Sequence, residues 1–326
     1  MQTCPARYFF IQCSEFAIAQ PCVALWLAWI GRSQGSIWKH FCIQTMDTEA
    51  MSAKYAGSEM RIPPLGALFE PSFYIPFIAF FVLFSIIGYL VRTFAWRNYS
   101  GFRQYRLRNL TVCLVHSIIS GGFTFSFLLL HPEVMFNDTL YWYKPWATYI
   151  PILSMAYFVC DAIDMMKHEI SRWTIELLLH HAASIFVFAC AVLPRKFIPY
   201  AYWALLMEVN SIFLHMRSLM QIIGSNVTNR DIYRMVRWLN FTTFIVFRFA
   251  VQMWQINWAW QHRHRMHLFY TFVAVVGGGF FFVTNTILFI RVLASDGFLG
   301  EYAKSHTAIH RDTQGSVRIM QDTKNS

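Results

Sequence analysis

Between Thr174 and Leu193 the chain reads TIELLLHHAASIFVFACAVL, which sets a glutamate and two adjacent histidines inside an apolar run of membrane length. Glu176 and His180 are four residues apart, so a helix places them on one face within hydrogen-bonding reach, while His181 points about 100° further round. Ionisable side chains are costly in hydrocarbon, and such a cluster is a functional-site hypothesis by default. A neutral imidazole held by a carboxylate is a good general base, or a nucleophile towards an activated acyl group, because it titrates near working pH. Metal ligation requires three or more converging ligands, and adjacent histidines do not face one ion from a helix. It would need His181 to join His116 or His215 from other helices. We therefore expect no metal and no cofactor.

The elements that must position these groups are membrane helices. The chain of 326 residues is 56% hydrophobic, 18% aromatic and only 13% charged. Its formal net charge of +10 sits mostly between apolar runs, a topology signal that argues against a nucleic-acid partner. The seven cysteines form no CxxC pair and imply neither a zinc site nor a disulfide framework. Seven runs of about 20 residues are each long enough to cross hydrocarbon as a helix: 73–92, 110–130, 147–166, 174–193, 198–219, 238–258 and 268–292. The predicted fold is all-α, a polytopic membrane bundle. Residues 1–69 read as a low-order or targeting-like region, with Met46 or Met51 as alternative starts, and residues 297–326 read as a flexible cytosolic tail.

Arginine and lysine concentrate on one side of this arrangement. The loop after the first span is read as carrying Arg92, Arg97, Arg103, Arg106 and Arg108, and Lys167, Arg172, Arg230, Arg234 and Arg237 fall on the same side. The positive-inside rule puts that side and the C-terminus in the cytosol and the N-terminus outside. The sequon at Asn137 then lies outside and is expected to carry a glycan, whereas those at Asn98 and Asn226 are expected to stay unmodified. With this topology His116, His180 and His181 lie about 9 Å in from the cytosolic end at 1.5 Å per residue. Asp161, Asp164 and His215 approach the same level, and Glu208, Arg248 and Asn285 lie deeper. We expect a polar cavity open to the cytosol. Glu208 and Arg248 can equally form a structural ion pair, His116 can be a hydrogen-bonded core histidine, and Asp164 with His168 reads as a solvated pair. The Gly277–Gly279 run permits close helix contact or a kink.

The ordered segments RNLTVCLVHSIISG (108–121), YFVCDAIDM (157–165), ELLLHHAAS (176–184), LLMEVNSIFLHMR (205–217), FTTFIVFRF (241–249) and NTILFIRVLASD (285–296) resemble the TLC domain over about 70–296. That family includes ceramide synthases, translocation-associated membrane proteins and proteins of lipid homeostasis. The resemblance is closest to a subgroup that limits polyunsaturated phospholipids and so sets membrane fluidity. Glu176, His180, His181 and Ser184 match the first half of the ceramide synthases' acyl-transfer motif. The second half, His-Asp-x-x-Asp, corresponds to Met207, Glu208, Val209, Asn210 and Ser211, so a histidine and an aspartate are replaced. The resemblance implies regulation of phospholipid acyl composition at the plasma membrane or endoplasmic reticulum. It does so either by acyl transfer at His180 and His181, with Glu176 as orienter and Glu208 behind it, or by binding lipid without catalysis; a ceramide-synthase-like N-acyltransferase is a further reading. His116, Asp161, Asn210 and Arg248 are the expected substrate-binding residues. Membrane lipids are the expected partners, with acyl-CoA as co-substrate.

Overall fold

A computed structural model describes residues 57–168 and 172–298, apart from the side chains of residues 172, 173, 226 and 227. The alternative starts, the targeting-like segment before residue 57 and the expected tail beyond residue 298 lie outside the described residues. Within them the chain is a helical bundle with no strand. Its principal helices are α1 (Pro71–Phe94), α2 (Gly101–Leu130), α3 (Tyr149–His168), α4 (Arg172–Val192), α5 (Ile198–Leu205), α6 (Met207–Ile223), α7 (Arg230–Thr243), α8 (Val251–Gln261) and α9 (Leu268–Ser295). Hydrocarbon offers backbone groups no water, so an apolar run of this length closes its own hydrogen bonds as a helix.

Local signals set the ends. Proline in the first turn suits α1 and α5, because its missing N–H would be unpaired there anyway. Gly224, at φ 81°, stops α6. Gly297, also at φ 81°, lets Phe298 N donate to Leu293 O after α9.

Five helical stretches are long and apolar enough to span a membrane: Pro71–Phe94, Gly101–Leu130, Pro145–His168, Thr174–Val192 and Leu268–Ser295. The fifth and sixth expected spans are helical but are not single α-helices. At Leu206 the α pattern tightens, with Leu206 N donating to both Tyr202 O and Trp203 O and Val209 N donating to Leu206 O. This joint between α5 and α6 lies where Gly121 of α2 comes against the backbone of Glu208 and Val209; a Cβ there would sit 2.8 Å from Glu208 C and Val209 N. The sixth span is α7 and α8 joined by a π-helical segment, Phe244–Ala250, after which Val251 N reaches back to Val246 O. Helix α2 also starts earlier than hydropathy suggests, so Arg103, Arg106 and Arg108 lie in its first turns rather than in a loop.

Helix neighbours form a closed ring: α2 against α6, α6 against α7 and the π segment, α8 against α9, α9 against α4, α4 against α3, and α3 against α2. Helix α1 packs outside, on α3 and α2. Its outward face, with Ile75, Ile78, Val82, Ile86 and Tyr89, is exposed as a lipid-facing surface would be. The ring has a basic end, carrying the α1–α2 and α6–α7 connections, and an opposite end. Helix α5 touches α2, α3, α4 and α8 and fills that opposite end, with Ile198, Tyr202 and Leu205 almost wholly buried. Tyr202 donates to Ala147 O at 2.7 Å and Trp203 to Met135 O at 2.8 Å, so these large side chains also satisfy backbone carbonyls there. Residues 57–70 pack at the same end through Lys196–Glu59 at 3.8 Å and Arg195–Glu70 at 2.5 Å. These pairs hold a turn in which Arg195 and Phe197 adopt positive φ.

The GGG run works at one position. A Cβ on Gly278 would lie 2.6 Å from Ile256 Cγ1, which marks the close crossing of α8 and α9. Gly279 faces open space.

Candidate functional site

Polar groups from α2, α3, α4, α6, α7, the π segment and α9 converge between α5 and the basic end, and they divide into two clusters. The first is built by α2, α3, α4 and α6. One face of α2 presents Asn109, Cys113, His116, Ser117, Ser120 and Thr124, spaced three and four residues apart so that they form one inward seam. His116, only 1% exposed, places Nε2 3.1 Å from Ser154 Oγ and stacks on Tyr157 with ring centroids 3.9 Å apart. Its Nδ1 lies 3.7 Å from Glu208 Oε2, and Ser117 donates to the same carboxylate oxygen at 2.6 Å. His116 is thus both a bonded core histidine and a neighbour of a carboxylate.

His181 continues this cluster. It stacks on Phe158 and turns Nε2 to Asp161 Oδ2 at 3.6 Å, while Asn109 donates to the other oxygen of Asp161 at 2.6 Å. His181 Nδ1 is buried and makes no hydrogen bond. An imidazole with one nitrogen turned to a carboxylate and the other unengaged has the arrangement of a general base or nucleophile. Across the helices, the group that His181 Nε2 faces is Asp161.

The second cluster centres on Arg248 in the π segment. Its guanidinium donates to Asn210 Oδ1 at 2.6 Å, Asn285 Oδ1 at 2.7 Å and Ser211 Oγ at 2.8 Å. Asn210 is fully buried and is itself held by its amide to Asn240 O, Asn240 Oδ1 and Thr243 Oγ1 at 2.9–3.1 Å. The alternative of a direct Glu208–Arg248 ion pair does not hold: among the described residues no carboxylate lies within 4.0 Å of Arg248, because Glu208 turns to Ser117 and His116 instead. His180 lies between the clusters, edge-on to Phe281 at 5.2 Å and within electrostatic reach of Arg248 and Glu208. His180 and His215 are part-buried, and Glu208 keeps 16% of its side chain exposed.

Glu176 is a correction. It does not orient His180; at the exposed basic end Arg291 of α9 takes it with two contacts, Nη1 to Oε2 at 2.7 Å and Nη2 to Oε1 at 3.1 Å. A charged fork outcompetes a neutral imidazole for a carboxylate. Asp164 does pair with His168, at 3.7 Å, and also accepts from Arg92 at 3.2 Å. Asn98 is exposed and, like helix Ser225–Thr228, lies at the basic end, whereas Asn137 is exposed at the opposite end. Asn137 lines a cleft of about 160 Å³ with Asp138, Tyr141, Trp254, Trp258 and Arg265.

Asn109, Ser117, Ser154, Asn240 and Thr243 do not stand out from the sequence as site residues. A signal exists for two of them: Asn109 precedes His116, and Ser154 precedes Asp161, by seven residues, two helical turns on the same face.

The TLC domain family model matches residues 106–294. Over 194 residues the chain is 30% identical to TLC domain-containing protein 2 of Danio rerio, covering 59% of this chain and 77% of that one. It is 31% identical over 217 residues to TLC domain-containing protein 1 of Gallus gallus, covering 64% and 81%. To TLC domain-containing protein 2 of Homo sapiens it is 28% identical over 188 residues, covering 58% and 70%. No solved structure matches the chain.

Proposed function

Since the chain belongs to the TLC domain family and is an integral membrane protein, we propose that it regulates the acyl-chain composition of phospholipids, and so membrane fluidity, by handling an acyl lipid inside the ring. The observation that carries this reading is His181, whose Nε2 faces Asp161 while its buried Nδ1 is unengaged. In the acyl-transfer form of the reading, Nδ1 takes the proton of an acceptor hydroxyl as the oxygen attacks an acyl-CoA thioester carbon. The C–S bond then breaks and the proton passes to the leaving thiolate. Asp161 stabilises the imidazolium that forms in between, and Asn109 holds Asp161 in place. His180 faces the second cluster and contributes to positioning. We further propose a cytosolic basic end in the plasma membrane or endoplasmic reticulum; the plug formed by α5 supports access from that end.

A second reading, lipid binding without catalysis, is favoured by Met207 and Ser211, which stand where the acyl-transfer motif has its histidine and aspartate. Phospholipid profiles of cells lacking the protein separate the two, after complementation with wild type or with the His180→Ala, His181→Ala double variant. Loss of rescue by a normally folded double variant, together with acyl transfer from labelled acyl-CoA by purified protein, supports catalysis. Equal rescue by both chains sinks it.

A further inference from the structure

The second cluster holds a cation with no carboxylate in contact. Arg248 is 7% exposed, yet among the described residues its contacts are all neutral: two amide oxygens, a hydroxyl and the Phe244 ring, whose centroid lies 5.3 Å from Cζ. Three of its five N–H groups are engaged by these contacts, which leaves two to donate. The carboxylate within its electrostatic reach, Glu208, already accepts from Ser117 and faces His116. A buried cation with no carboxylate in direct contact carries a desolvation penalty, and a charged ligand supplies the missing contact.

Two further observations point the same way. Arg248 sits in the π-helical segment, and such local widening of a helix is frequent at functional sites. Its neighbour Ser211, at 2.8 Å, occupies the position at which the resembling motif has aspartate. An aspartate there would neutralise the guanidinium from within the chain. Serine orients the guanidinium and leaves its charge for a ligand.

We infer that Arg248, held by Asn210, Ser211 and Asn285, is the seat of an oxyanion: the carboxylate of a fatty acid or the phosphate of a phospholipid whose chain lies in the ring. The inference rests on the lipid-handling reading and names the part of the lipid that the ring recognises. Guanidinium suits it because its planar fork matches carboxylate and phosphate oxygens. The part-exposed His180 and His215 both lie within electrostatic reach of Arg248 and add dipoles or charge to the seat, while Glu208 opposes an anion and keeps the site selective for one bound at Arg248 itself.

The test measures equilibrium binding of radiolabelled lipids to the purified full chain in nanodiscs of phosphatidylcholine. Oleate is compared with oleyl alcohol, and dioleoyl phosphatidic acid with dioleoylglycerol, so that each pair differs in the anion alone. Saturable binding at least about ten-fold tighter for an anion than for its neutral analogue is expected. Preference in the oleate arm identifies a carboxylate ligand, and preference in the phosphatidic acid arm identifies a phosphate ligand. Arg248→Gln should abolish the preference, but it also strips donors from three buried acceptors and is prone to misfold. Ser211→Asp is therefore the decisive variant. It should keep or raise the melting temperature while losing the anion preference about ten-fold, because it installs the missing carboxylate. Equal binding of anion and neutral analogue by wild type, or wild-type anion binding by folded Ser211→Asp, overturns the inference. The outcome is separate from the histidine test: anion binding that survives alongside equal rescue by the double histidine variant refutes transfer chemistry and leaves the seat intact.

Discussion

Gly121 offers a test of the ring that does not depend on any ligand. A Cβ added to it would lie 2.8 Å from Glu208 C and Val209 N and 3.1 Å from Glu208 O, all backbone atoms. Ordinary contact begins near 3.4 Å, so α2 and α6 must separate by about 0.6 Å, and no side-chain rotation can relieve the clash. Gly122, one residue on, has nothing within 4 Å of the same position. Alanine improves helix propensity by about 1 kcal/mol at either site, so comparing Gly121→Ala with Gly122→Ala cancels that gain and isolates the overpacking, about 1–3 kcal/mol. Thermal unfolding of the two variants in one detergent should place Gly121→Ala lower by roughly 2–12 °C, at roughly 2–4 °C per kcal/mol for a domain of this size. Because the displaced backbone belongs to Glu208, Gly121→Ala should also weaken the Ser117–Glu208 bond, now 2.6 Å, and impair rescue of the phospholipid profile. Equal melting temperatures for the two variants would refute the close approach and, with it, the account of the joint at Leu206.

Other outcomes follow from the same geometry. Glu176→Gln should leave rescue unchanged and cost at most about 1 kcal/mol in melting experiments, since its pair with Arg291 is half-exposed; a loss of rescue comparable to that of the histidine variants would restore it as orienter of His180. Asp161→Asn should impair rescue while preserving the fold, because the amide still meets Asn109 but no longer stabilises a charged His181; full rescue would remove Asp161 from the mechanism. Burial raises the carboxyl of Asp138 above the ordinary aspartate value, with Lys196 opposing the shift. A raised acid stabilises the folded state below the unfolded pKa and loses that contribution as pH rises through the folded value. Asp138→Asn should therefore flatten the decline in melting temperature across that acidic window, and an unchanged slope would count against the shift. Glycosidase treatment of the expressed chain should shift its mobility through Asn137 alone, whereas a shift that depends on Asn98 or Asn226 would invert the proposed orientation.

What sequence makes legible depends on whether a feature is local. Apolar length reads α1, α4 and α9 to within two or three residues at each end, because helix formation in lipid is a property of the segment itself. It misplaces the start of α2, where Arg103, Arg106 and Arg108 look like loop but continue the helix, as long basic side chains can while reaching for the surface. The joint at Leu206 is invisible because it sits in an unbroken apolar run and is matched by a glycine 85 positions away. Glu176 shows the same limit in the site. Its local spacing suggests His180, but a charged partner on α9 decides the contact. Polar positions inside the apolar runs are legible too, since His116, Asp161, His181, Glu208, Asn210 and Arg248 all enter the two clusters.

The division into two clusters itself follows from how the ring distributes its charges. Asp161 and Glu208 are both spent on the histidine side, turned to His181 and His116 and steadied by Asn109 and Ser117. Arg248 is left with amides and a hydroxyl, while Glu208, within its electrostatic reach, turns to the other cluster. Had Glu208 turned to Arg248, the ring would be internally neutralised, and His116 would have lost the carboxylate beside it. A bundle that only needed stability would gain from that pairing or from apolar replacements. Keeping the two groups in separate clusters fits the proposed site, in which an oxyanion would sit at Arg248 and His181 would serve as base.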